Sequence, residues 1–105
     1  MKTKTLNKET VIALIKQNKN KLEEFGVEEI GLFGSFATGN ETENSDVDIL
    51  VNLNKNKKTF RNFLSLNYFL EKLFGTKVDL VTKQSLSPFI GPHILKSTIY
   101  VPFND

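Results

Sequence analysis

The sequence contains no cysteine. Disulfides, thiol nucleophiles and thiolate-bound zinc are thereby excluded. It has one arginine, Arg61, so its basic excess is nearly all lysine. Guanidinium forks are the usual means of reading guanine edges, and their scarcity argues against sequence-specific DNA binding. The net charge of +2 is too small to argue for nucleic acid by itself. The one histidine, His93, reads as a surface or capping residue rather than a base or metal ligand. No apolar run approaches the roughly 20 residues that span a bilayer. The opening MKTKTLNKET has no apolar signal core, which makes the cytoplasm the default address. Internal repeats and low-complexity linkers are absent, so residues 1–105 read as one domain.

What is present is concentrated in one stretch, GSFATGNETENSDVDILV, from Gly34 to Val51. Gly34 lets the backbone come close to a ligand, and Ser35 adds a hydroxyl to the free N–H groups of a turn. Asp46 and Asp48, two apart at the head of an apolar run, fall on the same face of a strand. A phosphate cradle opposite paired carboxylates is what a metal-dependent nucleotide enzyme requires.

The remaining pattern alternates helix and strand. Leu6 to Phe25 reads as an amphipathic helix, capped by Asn7, stopped by Gly26 and interrupted on its apolar stripe by Asn18. Val27 to Phe33 is a first strand, Ser35 to Thr38 a helical turn that Gly39 stops, and Asn40 to Ser45 an exposed loop. Val47 to Leu53 is apolar enough to be a central strand. Asn52 to Lys58 is a lysine-rich turn, either a solvated loop or a landing site for a triphosphate or RNA. Thr59 to Phe74 is a second long helix with Phe60, Phe63, Leu64, Leu70, Leu73 and Phe74 as its core side, and Tyr68 reads as packing. Lys77 to Thr82 is a third strand. Its Asp79 is either solvated on a partly exposed edge or else paired or metal-bound, because a carboxylate is costly in a buried strand otherwise. Pro92 opens a short helix to about Ser97, Ile99 to Phe103 is a brief last strand, and Ser87 to Ile90 exposes apolar surface.

Gly34-Ser35, ten residues, Asp46-x-Asp48, and then Asp79 on a later strand resemble the DNA polymerase β-like nucleotidyltransferase superfamily. Within it, the short chain, GSFATG…SDVDILV and KVDLVT look like the minimal nucleotidyltransferases, usually called MNT proteins. The resemblance implies an α/β (α+β) fold, with a mixed three- to four-stranded sheet and helices mainly on one face. It implies Asp46, Asp48 and Asp79 as catalytic carboxylates and metal ligands, and Gly34 and Ser35 as nucleotide-binding residues. It further implies Mg²⁺, or Mn²⁺, with ATP as substrate, and a HEPN-type ribonuclease toxin as hetero-oligomeric partner. Adenylylation of a tyrosine on that toxin would make the chain an antitoxin. In one place the sequence departs from the family pattern: Thr38 stands where an arginine usually precedes the second glycine.

Strand residues rise about 3.3 Å each, so the α-carbons of Asp46 and Asp48 should lie roughly 6.6 Å apart on one face. Like charges 4 Å apart repel by about 4 kcal/mol at an effective dielectric near 20, which a hard divalent cation relieves. Two-metal nucleotidyl transfer is therefore the expected chemistry. A non-catalytic antitoxin that acts by binding alone is the alternative. Transfer to a small molecule or an RNA end ranks third, since the chain has little room for another acceptor-binding domain.

Overall fold

The structure, a computed structural model, describes residues 6–102. Asn7 caps the first helix, α1 (Lys8–Gln17), reciprocally with Thr10. Its side-chain oxygen accepts the Thr10 N–H at 2.9 Å, and the Thr10 hydroxyl oxygen accepts the Asn7 N–H at 2.8 Å. The single helix expected from Leu6 to Phe25 is in fact two. Asn18 donates its side-chain amide to the Leu14 carbonyl at 2.8 Å and leaves helical geometry, and the chain restarts as α2 (Lys19–Glu24). Asparagine competes in this way with the helical ladder for backbone partners. The stripe survives the break, with Val11, Ile15 and Leu22 fully buried.

There follow β1 (Val27–Phe33), α3 (Gly34–Thr38), β2 (Val47–Leu53), α4 (Phe60–Phe74), β3 (Val78–Thr82), α5 (Gly91–Ser97) and β4 (Ile99–Tyr100). Single 3₁₀ turns at Lys55–Lys57 and Lys83–Ser85 complete the path. The strands form one mixed sheet in the order β3-β2-β1-β4. β1 runs antiparallel to β2 and β4, while β2 and β3 are parallel. A parallel pair needs a long crossover, and α4 supplies it. The last strand is shorter than expected. Val101 still donates to the Ile30 carbonyl at 2.9 Å, and Phe103 lies outside the described residues.

α1, α2 and α4 cover one face of the sheet. Val11, Ile15, Leu22, Leu66, Leu70 and Phe74 pack there against Ile30, Leu32, Ile49 and Val51. β2 is central, and its Leu50, on the other face, is buried as well. Two expectations for α4 fail. Phe60 and Leu64, anticipated in the core, are 74% and 42% exposed, and Tyr68, anticipated as packing, is 71% exposed. The row facing the sheet is Phe63, Leu66, Leu70 and Phe74. Phe60, Leu64 and Tyr68 form the neighbouring i, i+4, i+8 row, so the helix is apolar over a wider arc than the sheet covers. Among the described residues no helix is long and apolar enough to cross a membrane.

Candidate active site

β1 delivers the chain into a sharp turn at Gly34. Phe33 is extended, at φ −133° and ψ −172°, and Gly34 reverses to φ +73°. A side chain is strained at that angle, but the stronger constraint is spatial. A Cβ built on Gly34 would fall on the Asp48 carboxylate, with Asp48 Cγ 2.8 Å away. The backbone of the turn and the carboxylate are therefore in direct apposition. Phe36 and Ala37 bury the inner side of α3 and hold the turn in place, and Gly39, at φ +80°, ends the helix as expected.

The sheet register assembles the acids. Phe33 is opposite Asp48 across β1 and β2, and Asp48 is opposite Asp79 across the parallel pair. Neighbouring strands lie about 4.8 Å apart, which sets the backbone separation of Asp48 and Asp79. Side chains alternate along a strand, so both carboxylates are on the face away from α1, α2 and α4. Asp46 stands just before β2, where the Val47 N–H donates to the Lys77 carbonyl at 3.0 Å and joins the two strand starts. In the loop before it, Ser45 Oγ accepts the Thr42 N–H at 2.9 Å, a local lock that fixes the approach to Asp46. This loop is less open than the sequence suggests: Glu41 is half-buried and one of its carboxylate oxygens has no hydrogen-bond partner.

Asp46 and Asp79 are exposed and Asp48 is half-buried. Burial raises the Asp48 carboxyl from 3.8 to about 6, and the negative charges of Asp79 and then Asp46 push in the same direction. Of the alternatives for Asp79, the structure shows the exposed edge-strand carboxylate, whose charge acts on Asp48 by repulsion. Among the described residues no three His, Asp or Glu side chains are already gathered tightly enough to enclose an ion. The donors are nevertheless all hard carboxylate oxygens, and their mutual repulsion is of the kind a divalent cation relieves.

Ser35 is half-buried beside Gly34. Its carbonyl accepts the Thr38 hydroxyl at 3.2 Å and the Asn40 N–H at 2.9 Å. Thr38, at the position where arginine was expected, is exposed and spends its hydroxyl within this turn. The lysine cluster lies elsewhere. Lys55–Lys57 follows the C-terminal end of β2, whose seven residues put about 20 Å between the start of the strand, where the carboxylates stand, and its end. The cluster is exposed, as a solvated loop should be, and too distant to receive a triphosphate held at Gly34. His93 is exposed on α5, and Phe89 and Ile90 are exposed just before it, as expected.

The family model described as nucleotidyltransferase domain matches residues 14–101, nearly the whole described chain. The chain belongs to this nucleotidyltransferase family. A protein adenylyltransferase, MntA, of Thermococcus cleftensis is 41% identical over 97 residues, covering 91% of this chain and 97% of the relative. A solved structure of a candidate minimal nucleotidyltransferase superposes with a TM-score of 0.78 at 30% identity, covering 92% of this chain and 98% of that one. A toxin–antitoxin crystal structure with AMP-PNP matches with a TM-score of 0.67 at 25% identity, covering 95% of this chain and 76% of that one. The nucleotidyltransferase is thus an enzyme of the minimal type, with the mixed sheet and polymerase β-like fold that its sequence implies.

Proposed function

We propose that this nucleotidyltransferase moves the adenylyl group of ATP onto a tyrosine hydroxyl of a HEPN-type ribonuclease and thereby acts as its antitoxin. The observation that carries the reading is the apposition of Gly34 and Asp48, with Asp46 and Asp79 beside them. A backbone turn that only glycine can make, backed by three acids, suits a metal-bound triphosphate. It has no evident use in a purely structural strand connection. The kinship with a protein adenylyltransferase and with a nucleotide-bound toxin–antitoxin supports the donor and the class of acceptor.

In this reading the turn at Gly34 and Ser35 binds the β- and γ-phosphates through backbone N–H groups and the serine hydroxyl. Asp46 and Asp48 would hold one divalent cation, and Asp79 would help to hold a second. Mg²⁺ or Mn²⁺, when bound, neutralises the acids and the phosphates together. Asp79, on the free edge of the sheet, is the member an incoming protein can reach, and it orients the acceptor hydroxyl and takes up its proton. The hydroxyl oxygen forms a bond to the α-phosphorus. The bond from that phosphorus to the bridging oxygen breaks, and pyrophosphate leaves in line.

The test is the intact mass of the partner after incubation with ATP and Mg²⁺. A gain of one or more AMP units, lost when the modified tyrosine is changed to phenylalanine, is the expected result. Neutralisation of the ribonuclease with no mass gain would overturn the catalytic reading. Loss of the arginine at Thr38 is the feature that favours a purely binding antitoxin.

A further inference from the structure

The exposed row on α4 has no role in nucleotide chemistry and none in the core. Phe60, Leu64 and Tyr68 recur every four residues, so they align along one side of the helix. At its N-terminal end the row borders a groove of about 340 Å³, lined by Phe60 and Phe63 on one side and Leu80 and Val81 of β3 on the other. Leu80 and Val81 are successive strand residues and point to opposite faces. A groove lined by both therefore wraps the free edge of the sheet. Isolated apolar residues are common on surfaces, but a helical row joined to an apolar groove is a contiguous patch, and such patches mark contact sites.

The charges around the row indicate what would cover it. Lys58 lines the groove, and Arg61 and Lys72 follow the row on the exposed side of the helix. The one acid of α4, Glu71, is turned toward β3, where its carboxylate accepts the Val78 N–H at 3.2 Å. The exposed charges on α4 and in the groove are thus basic, while the acid of β3, Asp79, stands one residue before the groove. A second copy laid on this face would set basic rim against basic rim, which like-charge repulsion disfavours. A base-stacking surface for RNA would use the two aromatics but leave Leu64 and the aliphatic groove without a partner.

We infer that the Phe60–Leu64–Tyr68 row and the adjoining groove are the docking surface for the protein acceptor, which presents an apolar helix or loop with an acidic rim. The inference rests on the protein-acceptor reading above and extends it. On β3 the groove's lining runs from Leu80, one residue past Asp79, to Thr82, about 10 Å from Asp79 along the strand, so the near side of a partner seated there approaches the carboxylates while its far side reaches the end of β2. Docking at the edge and chemistry at the head of the same strand would thus be joined by a single rigid element.

The experiment uses the full chain and its HEPN-type ribonuclease partner. Two variants are compared with the unaltered chain: Phe60→Ala, Leu64→Ala and Tyr68→Ala combined, and Arg61→Glu with Lys72→Glu. All five side chains are exposed, and an unchanged melting temperature verifies that each variant folds. The expected result is a loss of partner affinity of about thirtyfold or more for the apolar variant and about tenfold for the charge-reversed one, with ATP affinity unchanged in both. Equal partner binding by the unaltered chain and the apolar variant overturns the docking surface and leaves the adenylylation reading intact. Failure of the unaltered chain to bind the ribonuclease overturns both. A concentration-dependent dimer broken by Leu64→Glu, or binding of a fluorescent oligouridylate that the apolar variant loses, also overturns it, in favour of a second copy or of RNA.

Discussion

The two ends of β2 carry opposite charges and treat them differently. At its start, Asp48 is half-buried beside Asp46 and Asp79 and is pushed up to about 6. Beyond its end, Lys55, Lys57 and Lys58 are all exposed to solvent. Like charges dispersed in water cost little, because the solvent screens them. Like charges crowded against a glycine turn cost stability, and a fold keeps such an arrangement for what it does. The difference separates a crowded, partly buried cluster from a solvated one.

The sharpest way to break the comparison is at the glycines. Gly34 and Gly39 have similar backbone angles, φ +73° and +80°, but different surroundings. A Cβ at Gly34 meets the Asp48 carboxylate, and one at Gly39 meets nothing within 4 Å. Gly34→Ala is expected to reduce adenylyl transfer by at least about a hundredfold, by displacing the carboxylate that the turn backs. Gly39→Ala should cost only about 1 kcal/mol of stability, from backbone strain, with activity retained. Parallel melting curves and initial rates on the two variants measure the contrast.

The next effect is on metal-linked stability. Mg²⁺ at about a hundred times its dissociation constant stabilises a single-site protein by about 2.7 kcal/mol, which for a domain of this size raises the melting temperature by several degrees. Unaltered protein should show that rise, and Asp46→Asn with Asp48→Asn should abolish it. Calorimetric scans with Mg²⁺ and with EDTA decide the matter.

A smaller effect follows from protonation. A carboxyl whose folded value is raised contributes stability that is fully present below its ordinary value and is lost as pH rises through the folded one. For Asp48 that window runs from about 3.8 to about 6. Asp48→Asn should therefore be more stable than the unaltered chain above pH 6 in the absence of metal, by on the order of 1 kcal/mol after screening of a half-exposed group. The slope of stability against pH in that window should also flatten. Urea titrations at intervals of pH measure both. Smallest of all is the effect at the other end of β2. Lys55→Gln with Lys57→Gln should leave ATP affinity and stability within about 0.5 kcal/mol, as calorimetric titration and melting would show.

Much of this was legible in the sequence. The strand from Val47 to Leu53 carries the apolar run Ile49, Leu50 and Val51, which marked it as central. The GSFATG turn, with a glycine at each end, gave its short helix its limits. The spacing of Asp46 and Asp48 suggested two carboxylates on one strand face, whereas Asp46 stands just before β2 and acts on Asp48 from there. Asp79 was ambiguous because its meaning depends on its neighbour: only the parallel pairing of β2 with β3 sets it beside Asp48. Asn18 and α4 mark where periodicity misleads. Asn18 bends the first helix through a side-chain bond that competes with the ladder. In α4 the apolar arc is wider than the sheet beneath it, so pattern alone could not separate Phe60 and Leu64 from Leu66. Residues destined for a partner and residues destined for the core are written in the same apolar alphabet.

The central claim is that the acids at the head of β2 carry the transfer. It is tested most directly by incubating the partner ribonuclease with labelled ATP, Mg²⁺ and either the unaltered chain or Asp46→Asn with Asp48→Asn. The account predicts that label transfer falls by at least about a thousandfold. The variant should still fold and melt no lower than the unaltered chain without metal. Transfer by that variant at a rate near the unaltered one would contradict the account.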